Sequence, residues 1–240
     1  MHLIVKQKYI SYVYLLKCIL CVIIFLRSDW GVSIIGDTRM FRMDNWFLKG
    51  WVYFLVMFAL IPILPPWTGR ENGIIEDLQL LWLLAGMVYC GYMLRTKQLD
   101  WGGSPARLWS AGIIYFFLLF MREISWGRVF FTNDQVGVAS YQQLGLYGKL
   151  VHPLVATLIA IALVLVVQAK IWRLIKLIKL PLKSFLLLLL FIVVSWLGEH
   201  DTIAWLHSQV TEELAEFGAY MMMYYIMRDL GDRLMQKNNL

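Results

Sequence analysis

The sequence predicts an all-α fold, a polytopic integral membrane helix bundle with six to seven transmembrane helices. Of its 240 residues, 60% are hydrophobic and 16% are charged, whereas a soluble domain averages about 45–50% apolar and about 25% charged residues. The apolar residues also form runs near the roughly 20 residues that a helix needs to cross a bilayer. These two observations exclude a disordered chain, a secreted disulfide scaffold and an ordinary cytosolic enzyme.

Seven apolar runs are candidate spans. Spans 1 to 7 are, in chain order, 9–26, 47–64, 74–94, 108–121, 151–168, 185–197 and 214–227. Span 5 is the cleanest, because it holds no acidic or basic residue besides His152. Span 7 is the weakest, since Glu212, Glu213 and Glu216 occupy its first turns. Span 1 is kept as a helix because no A-x-A cleavage signal follows it.

The chain shows one domain and no internal repeat. We therefore expect a single membrane domain over residues 1–240, with the core bundle in 47–230. Residues 1–46 contain span 1 and its connection. They are either the first part of that bundle or an addition at its periphery.

The distribution of basic residues predicts the orientation. Most of the 22 Lys and Arg residues lie in the connections after spans 1, 3 and 5 and in the C-terminal tail. Basic loops stay on the cytoplasmic side. We therefore expect a protein of the cell (inner) membrane with a cytoplasmic C-terminus and, with seven spans, an external N-terminus. Lys6 and Lys8 oppose this orientation, and the conflict disappears if span 1 does not cross.

The stretch 170–183 between spans 5 and 6 predicts a lipid partner. Its basic residues alternate with Ile, Leu and Trp and are Lys170, Arg173, Lys176, Lys179 and Lys183. Such a stretch suits the anionic cytoplasmic leaflet, and it also serves as a positive-inside stop signal. A protein partner or a homo-oligomer stays open. No segment is polar enough to fold as a nucleic-acid-binding domain, so we expect no nucleic acid.

This topology brings most acidic and histidine residues to one extracytoplasmic rim. The candidate catalytic residues are His152, His200, His207, Glu123, Glu213 and Asp77. The candidate ion-pair residues are Arg122, Glu76 and Glu199. The candidate metal ligands are His152, His200, His207 and Glu216. Carboxylates within membrane helices usually face the bundle interior and pair with a cation. We expect Asp77 to pair with Arg122, and Glu216 to pair with Arg122 or His200.

Three kinds of chemistry fit this rim. Imidazole and carboxylate ligands suit a divalent transition metal, but the sequence has no H-E-x-x-H or E-x-x-H motif, so the cofactor stays open. A histidine beside a buried glutamate could instead move protons or activate water. The third interpretation is structural, with the polar residues fixing the helix ends and Thr211 capping the last helix.

The leading functional prediction is a membrane-embedded hydrolase or transferase that acts on a lipid or lipid-linked substrate. The alternative is a non-enzymatic membrane protein. It would be a small transporter, a proton-coupled channel, or an accessory subunit that docks a partner through the rim. Transporters often show internal repeats and helices broken near the midplane. The sequence shows no internal repeat. Its Pro62 and Pro153 lie near helix ends, so they do not break a helix near the midplane.

Overall fold

The computed structural model describes residues 45–69, 73–95, 103–131, 140–170, 181–200 and 208–238. Within these ranges the chain is helical and contains no strand. The six α-helices are α1 (Asn45–Leu60), α2 (Ile74–Arg95), α3 (Ser104–Glu123), α4 (Gly145–Gln168), α5 (Leu182–Glu199) and α6 (Ser208–Asn238). A short 3-10 helix, Pro66–Gly69, follows α1, and the segment Ser125–Phe131, which has 3-10 turns interrupted by a kink at Trp126 and Gly127, follows α3. Helices α1–α6 correspond to candidate spans 2–7. Span 1, most of the basic stretch 170–183 and His207 lie outside the described residues.

Four helices, α2 to α5, are long and apolar enough to cross a membrane. Helix α1 is apolar but shorter, and α6 is not among the candidates. Glutamates in its first turns and charged residues from Arg228 onward lower the mean hydropathy of α6. The structure thus supports a helical membrane bundle with four candidate spans, and the expected count of six to seven is not confirmed.

Helix α6 lies at the centre of the packing. It contacts α5, α2, α1 and the 3-10 helix Pro66–Gly69. Helix α3 packs on α2, and α4 packs on α3. The helix that the sequence marks as the weakest span is therefore the one that most of the bundle packs around, whereas the cleanest span lies at the edge.

Two apolar cores flank α6. The first lies mainly between α1, α5 and α6 and includes the fully buried Met57, Phe191 and Met222. The second lies between α2, α3 and α6 and includes Leu83 and Trp109. Because α6 contributes side chains to both cores, little of its middle part reaches the surface of the bundle.

The outer surface of the bundle is apolar. Large side chains point outward along α4 and α5, among them Leu163, Val167 and Leu186, which are 61%, 75% and 67% exposed. Soluble monomers rarely expose contiguous apolar patches of more than a few hundred Å². An apolar exterior is what a helical protein presents to lipid, so this surface agrees with the composition.

Glycines allow two close approaches to α6. A Cβ atom at Gly218 would overlap the ring of Phe191 in α5. A Cβ at Gly69 would lie 2.5 Å from the backbone nitrogen of Val210. The second contact holds the α1–α2 connection against the start of α6. It therefore sets the first turn of α2 beside the first turn of α6.

The helix boundaries differ most from the predicted spans at α4 and α6. Helix α4 begins at Gly145 instead of residue 151, directly after a turn, and Gly145 has a positive φ of 58°. Helix α6 has 31 residues and extends beyond span 7 in both directions. At about 1.5 Å per residue it is about 46 Å long, which exceeds the roughly 30 Å hydrocarbon core. The parts of α6 that extend beyond span 7 contain polar residues, and the helix continues through them at both ends.

Candidate functional site

One end of the bundle, called the rim end below, gathers the predicted site residues. Helices α1, α3 and α5 finish at this end, and α2, α4 and α6 begin there, because successive helices run in opposite directions. The predicted site residues that the structure describes lie in the first or last three turns of their helices. They are Glu76, Asp77, Arg122, Glu123, His152, Glu199, His200, Glu213 and Glu216.

Six side chains from α2, α3 and α6 form a polar cluster at this end. This rim cluster consists of Gln79, Arg122, Glu123, Glu213, Glu216 and Tyr220. Arg122 Nη2 donates to Glu216 Oε1 at 2.9 Å, and Arg122 Nε lies 3.9 Å from Glu123 Oε1. The Tyr220 hydroxyl donates to Glu123 Oε1 at 2.6 Å. These contacts join the end of α3 to the first turns of α6.

Gln79 forms the other half of the rim cluster and joins α2 to α6. Its Nε2 donates to the backbone oxygen of Glu213 and to Glu213 Oε2, each at 2.9 Å. The Gln79 side chain is fully buried. Its Oε1 atom has no hydrogen-bond partner among the described residues. The amide therefore uses its donors on Glu213 while its acceptor stays unsatisfied.

Helical spacing explains why these residues meet. Glu213, Glu216 and Tyr220 are separated by three and four positions, so they share one face of α6. Arg122 and Glu123 are the last two residues of α3. Gln79 lies five positions after the first residue of α2, within its second turn. Helix α2 packs on both α3 and α6. The side chains of α3 also reach α6 through the Arg122–Glu216 and Glu123–Tyr220 contacts.

The charges of the rim cluster are unequal. The cluster holds three carboxyl groups, on Glu123, Glu213 and Glu216, and the single guanidinium of Arg122, which lies near Glu123 and Glu216. The Arg122 side chain is 60% exposed, whereas the side chains of Glu123 and Glu216 are 8% and 15% exposed. The positive charge thus lies at the surface and the carboxyl groups lie behind it. Burying carboxylates costs free energy unless they are hydrogen-bonded or paired, and Tyr220, Gln79 and Arg122 supply those partners.

A left-handed turn follows the rim cluster in sequence. Ser125, Trp126 and Gly127 have φ angles of 47°, 53° and 77°. Non-glycine residues in this region cost about 1–3 kcal/mol each, and the surrounding contacts must hold them there. The Trp126 side chain is buried, Phe117 contacts its ring edge-on, and the Tyr147 hydroxyl donates to its carbonyl oxygen. This turn ends α3 directly after Arg122 and Glu123, and so helps to set their position.

The two described histidines lie apart from each other. His152 is exposed on α4, with its ring 5.0 Å from the ring of Tyr141. His200 is exposed at the end of α5, with its ring 4.6 Å from that of Trp196. Helix α4 packs on α3, whereas α5 packs on α6 and α1. In the described residues, no three His, Cys, Asp or Glu side chains form a group that could hold a metal ion. His207 lies outside those residues.

The structure shows which of the expected ion pairs of Glu216 and Arg122 form. Glu216 pairs with Arg122 and not with His200. Arg122 pairs with Glu216 and lies near Glu123, whereas the expected partner Asp77 is exposed in the first turn of α2. Glu199 is likewise exposed, at the end of α5.

Sequence reasoning missed two members of the rim cluster, Gln79 and Tyr220. Gln79 is a single amide within the apolar run of span 3, and an isolated polar residue in a membrane helix usually faces a neighbouring helix. Tyr220 lies four residues after Glu216. That spacing places it on the same helical face as a predicted site residue. Both signals were present in the sequence.

Comparison of the chain with models of protein families, with curated proteins and with solved structures finds no match. The fold and the site define the class by themselves. The described part of the chain is an all-helical bundle with four helices long and apolar enough to cross a membrane, and it carries a cluster of carboxyl groups and one arginine at one end.

Proposed function

We propose that the chain is a multi-pass membrane enzyme that carries out acid–base chemistry on a lipid or lipid-linked substrate, by hydrolysis or group transfer at the rim cluster. One observation carries the proposal. The exposed guanidinium of Arg122 lies beside the nearly buried carboxyl groups of Glu123 and Glu216. This arrangement offers a cation to an anionic group at the surface and places proton-transferring groups directly behind it.

The residues of the cluster suit different roles. Arg122 would bind the phosphate or carboxylate of the substrate, since guanidinium groups hold such anions through two parallel hydrogen bonds. Glu123 would accept a proton from the attacking water or hydroxyl, and Tyr220 positions Glu123 through the 2.6 Å hydrogen bond. Glu213 would return a proton to the leaving oxygen. Each such transfer contributes about 10²–10⁴-fold to a rate.

The position of the cluster along the helices supports a lipid substrate. Its residues lie in the last turn of α3, the second turn of α2 and the second to fourth turns of α6. The apolar surfaces of α2 to α5 extend away from this end. A group at such a height meets lipid head groups, which lie just outside the hydrocarbon core. A lipid-linked molecule could therefore present its polar part to Arg122 while its chains stay in the membrane.

We propose the topology that the basic residues predict. In it the protein lies in the cell membrane with six to seven spans, the C-terminus is cytoplasmic and the rim end is extracytoplasmic. The stretch 170–183 would then lie against the anionic cytoplasmic leaflet. Alkaline phosphatase fused after residue 140 should be active, and the same enzyme fused to the C-terminus should be inactive. The reverse pattern would overturn this orientation.

Activity is tested with the purified full chain. It is reconstituted into vesicles of phosphatidylethanolamine and phosphatidylglycerol that contain a polyprenyl diphosphate-linked sugar, and lipid conversion is followed by mass spectrometry. The Glu123→Gln variant should lose about 10²–10⁴-fold in rate while its thermal stability is retained. Glu199→Gln is the matched control, because Glu199 is exposed at the same end and outside the cluster.

Two outcomes would contradict the enzymatic proposal. One is conversion that Glu123→Gln leaves unchanged, which would move the chemistry away from the cluster. The other is the absence of conversion in wild-type vesicles that show proton flux under a pH gradient. That second result would favour the proton-coupled alternative.

A further inference from the structure

The unsatisfied oxygen of Gln79 points to a bound proton. Gln79 is fully buried and its Oε1 atom accepts no hydrogen bond within the described ranges. An unpaired buried polar atom costs about 1–3 kcal/mol, so a donor is expected beside it. The side chain that contacts Gln79 in the cluster is the carboxyl group of Glu213, which donates a hydrogen bond only when it is protonated.

The orientation of the Gln79 amide is determined by its contacts. Its Nε2 atom lies 2.9 Å from the backbone oxygen of Glu213. A backbone carbonyl can only accept, so the amide nitrogen must face it. Exchanging the nitrogen and oxygen of the amide would set two acceptors against each other. The unsatisfied atom is therefore the amide oxygen, and the missing partner is a donor.

We propose that Glu213 is a proton-binding site in which the carboxylic acid forms a cyclic pair with the Gln79 amide. In this pair Gln79 Nε2 donates to Glu213 Oε2, as observed at 2.9 Å. The protonated Oε1 of Glu213 donates in return to Gln79 Oε1. Both polar atoms of the amide are then satisfied. The proton arrives from a hydronium ion on the rim side, so that an O–H bond forms on Glu213 and one water molecule is released.

The surrounding charges agree with a neutral Glu213. The charged groups that act on it from α6, α3 and α2 are the carboxyl groups of Glu216, Glu123 and Glu76, and Glu212 precedes it in the sequence. Helix α1 contributes Tyr53, whose hydroxyl donates to the backbone oxygen of Leu214. Helix α5 ends in the exposed Glu199 and His200. The guanidinium of Arg122 is directed at Glu216. Glu213 thus has a neutral amide, that of Gln79, as its side-chain hydrogen-bond partner.

This assignment adds a specific proton donor to the site. The geometry of Gln79 and Glu213 supports the bound proton independently of any reaction. The further role, in which Glu213 gives that proton to the leaving oxygen, rests on the proposed function.

Infrared spectroscopy of the full chain in phosphatidylethanolamine–phosphatidylglycerol vesicles tests the proton site without a substrate. A protonated carboxylic acid has a carbonyl band that is separate from the amide bands and shifts in heavy water. We expect such a band near neutral pH in the wild type and its loss in Glu213→Gln. Glu199→Gln, the matched exposed control, should keep the band unchanged.

A second variant tests the pairing itself and does not depend on the folding of Glu213→Gln. In Gln79→Leu the acid loses its amide partner, so the carbonyl band should move to higher frequency as its hydrogen bonding weakens. A wild type without an acid band that is assignable to Glu213 would overturn the proposal, because a water or another side chain would then satisfy Gln79. A band with the same frequency in Gln79→Leu would also overturn it.

The two proposals fail in distinguishable ways. Vesicles that convert no lipid but retain the Glu213 band would remove the proposed enzymatic function and leave the proton site. Conversion that proceeds without this band would remove the proton site alone. If both hold, Glu213→Gln should lower the rate by about 10²–10⁴-fold. The wild-type rate should fall as rising pH removes the proton from Glu213.

Discussion

Helices α4 and α6 show opposite relations between hydropathy and burial. Helix α4 has the highest mean hydropathy of the four candidate spans, yet Leu154, Leu163 and Val167 are exposed along its length. Helix α6 carries glutamates, aspartates and arginines, yet Ala215, Met221 and Met222 in its middle are fully buried. The more apolar helix lies at the edge of the bundle, and the more polar helix lies inside it.

The difference shows what hydropathy measures in a membrane bundle. A helix in contact with lipid must be apolar around most of its surface, because lipid offers polar groups no hydrogen-bond partners. A helix enclosed by other helices can keep polar residues, since its neighbours supply those partners. In α6 these partners are Arg122, Gln79 and Tyr53, each from a different helix. Hydropathy therefore reports exposure to lipid more directly than it reports position in the membrane.

The largest effect should come from the packing around α6. Phe191 in α5 is fully buried and lies against Gly218, so Phe191→Ala should cost about 3–5 kcal/mol of unfolding free energy. Leu163→Ala on α4 is the control and should change the stability little, because Leu163 is 61% exposed. Unfolding in mixed micelles with increasing denaturing detergent measures both. Equal losses would contradict the central position of α6.

A charge on α4 should reduce membrane insertion. Ile159 is 45% exposed within the apolar run, and an aspartate near the centre of a span costs about 2.5–3.5 kcal/mol to insert. Ile159→Asp should therefore lower the inserted fraction, as measured by protease protection, whereas Ile159→Ala should not. Full insertion of Ile159→Asp would show that this face of α4 is covered by protein and not by lipid.

A larger side chain should also destabilise the protein more in α6 than in α4. Gly218→Leu places a side chain where the ring of Phe191 already lies, and overpacking of this kind costs about 1–3 kcal/mol. The same insertion on the exposed side of α4, Ala160→Leu, should be nearly neutral. Thermal stability in one detergent compares the two variants directly. A neutral Gly218→Leu would mean that α5 and α6 are further apart than the contact requires.

The smallest effect concerns two ion pairs. Arg122 and Glu216 join α3 to α6 at 2.9 Å, whereas Asp229 and Arg233 pair within α6 at 2.8 Å. Since Arg122 is 60% exposed, the coupling across helices should be about 1 kcal/mol, against about 0.3–0.5 kcal/mol for the pair within one helix. Double-mutant cycles with alanine measure both couplings. A larger coupling for Asp229 and Arg233 would reverse the ranking.

The sequence predicted the positions of the helices along the chain better than the contacts between them. Six of the seven apolar runs correspond to α1–α6, and the alternation of basic loops predicted that Glu76, Glu123 and Glu213 lie at one end. The partner of Glu216 remained a choice between Arg122 and His200. Gln79 and Tyr220 were not predicted as site residues, because neither is a histidine or a charged residue. Contacts between helices depend on how each helix is rotated about its axis, and span-by-span hydropathy does not contain that rotation.

The sequence by itself indicated a helical membrane protein, because its composition and its longer apolar runs suit the hydrocarbon core of a bilayer. It also determined that charged residues occur at the helix ends, since the interior of a lipid bilayer excludes them. Only the tertiary structure decided that α6 lies at the centre and that Arg122 pairs with Glu216. It also decided that Gln79 contacts Glu213. These features arise from side chains of three helices, and their proximity is set by packing and by the need of buried polar groups for partners.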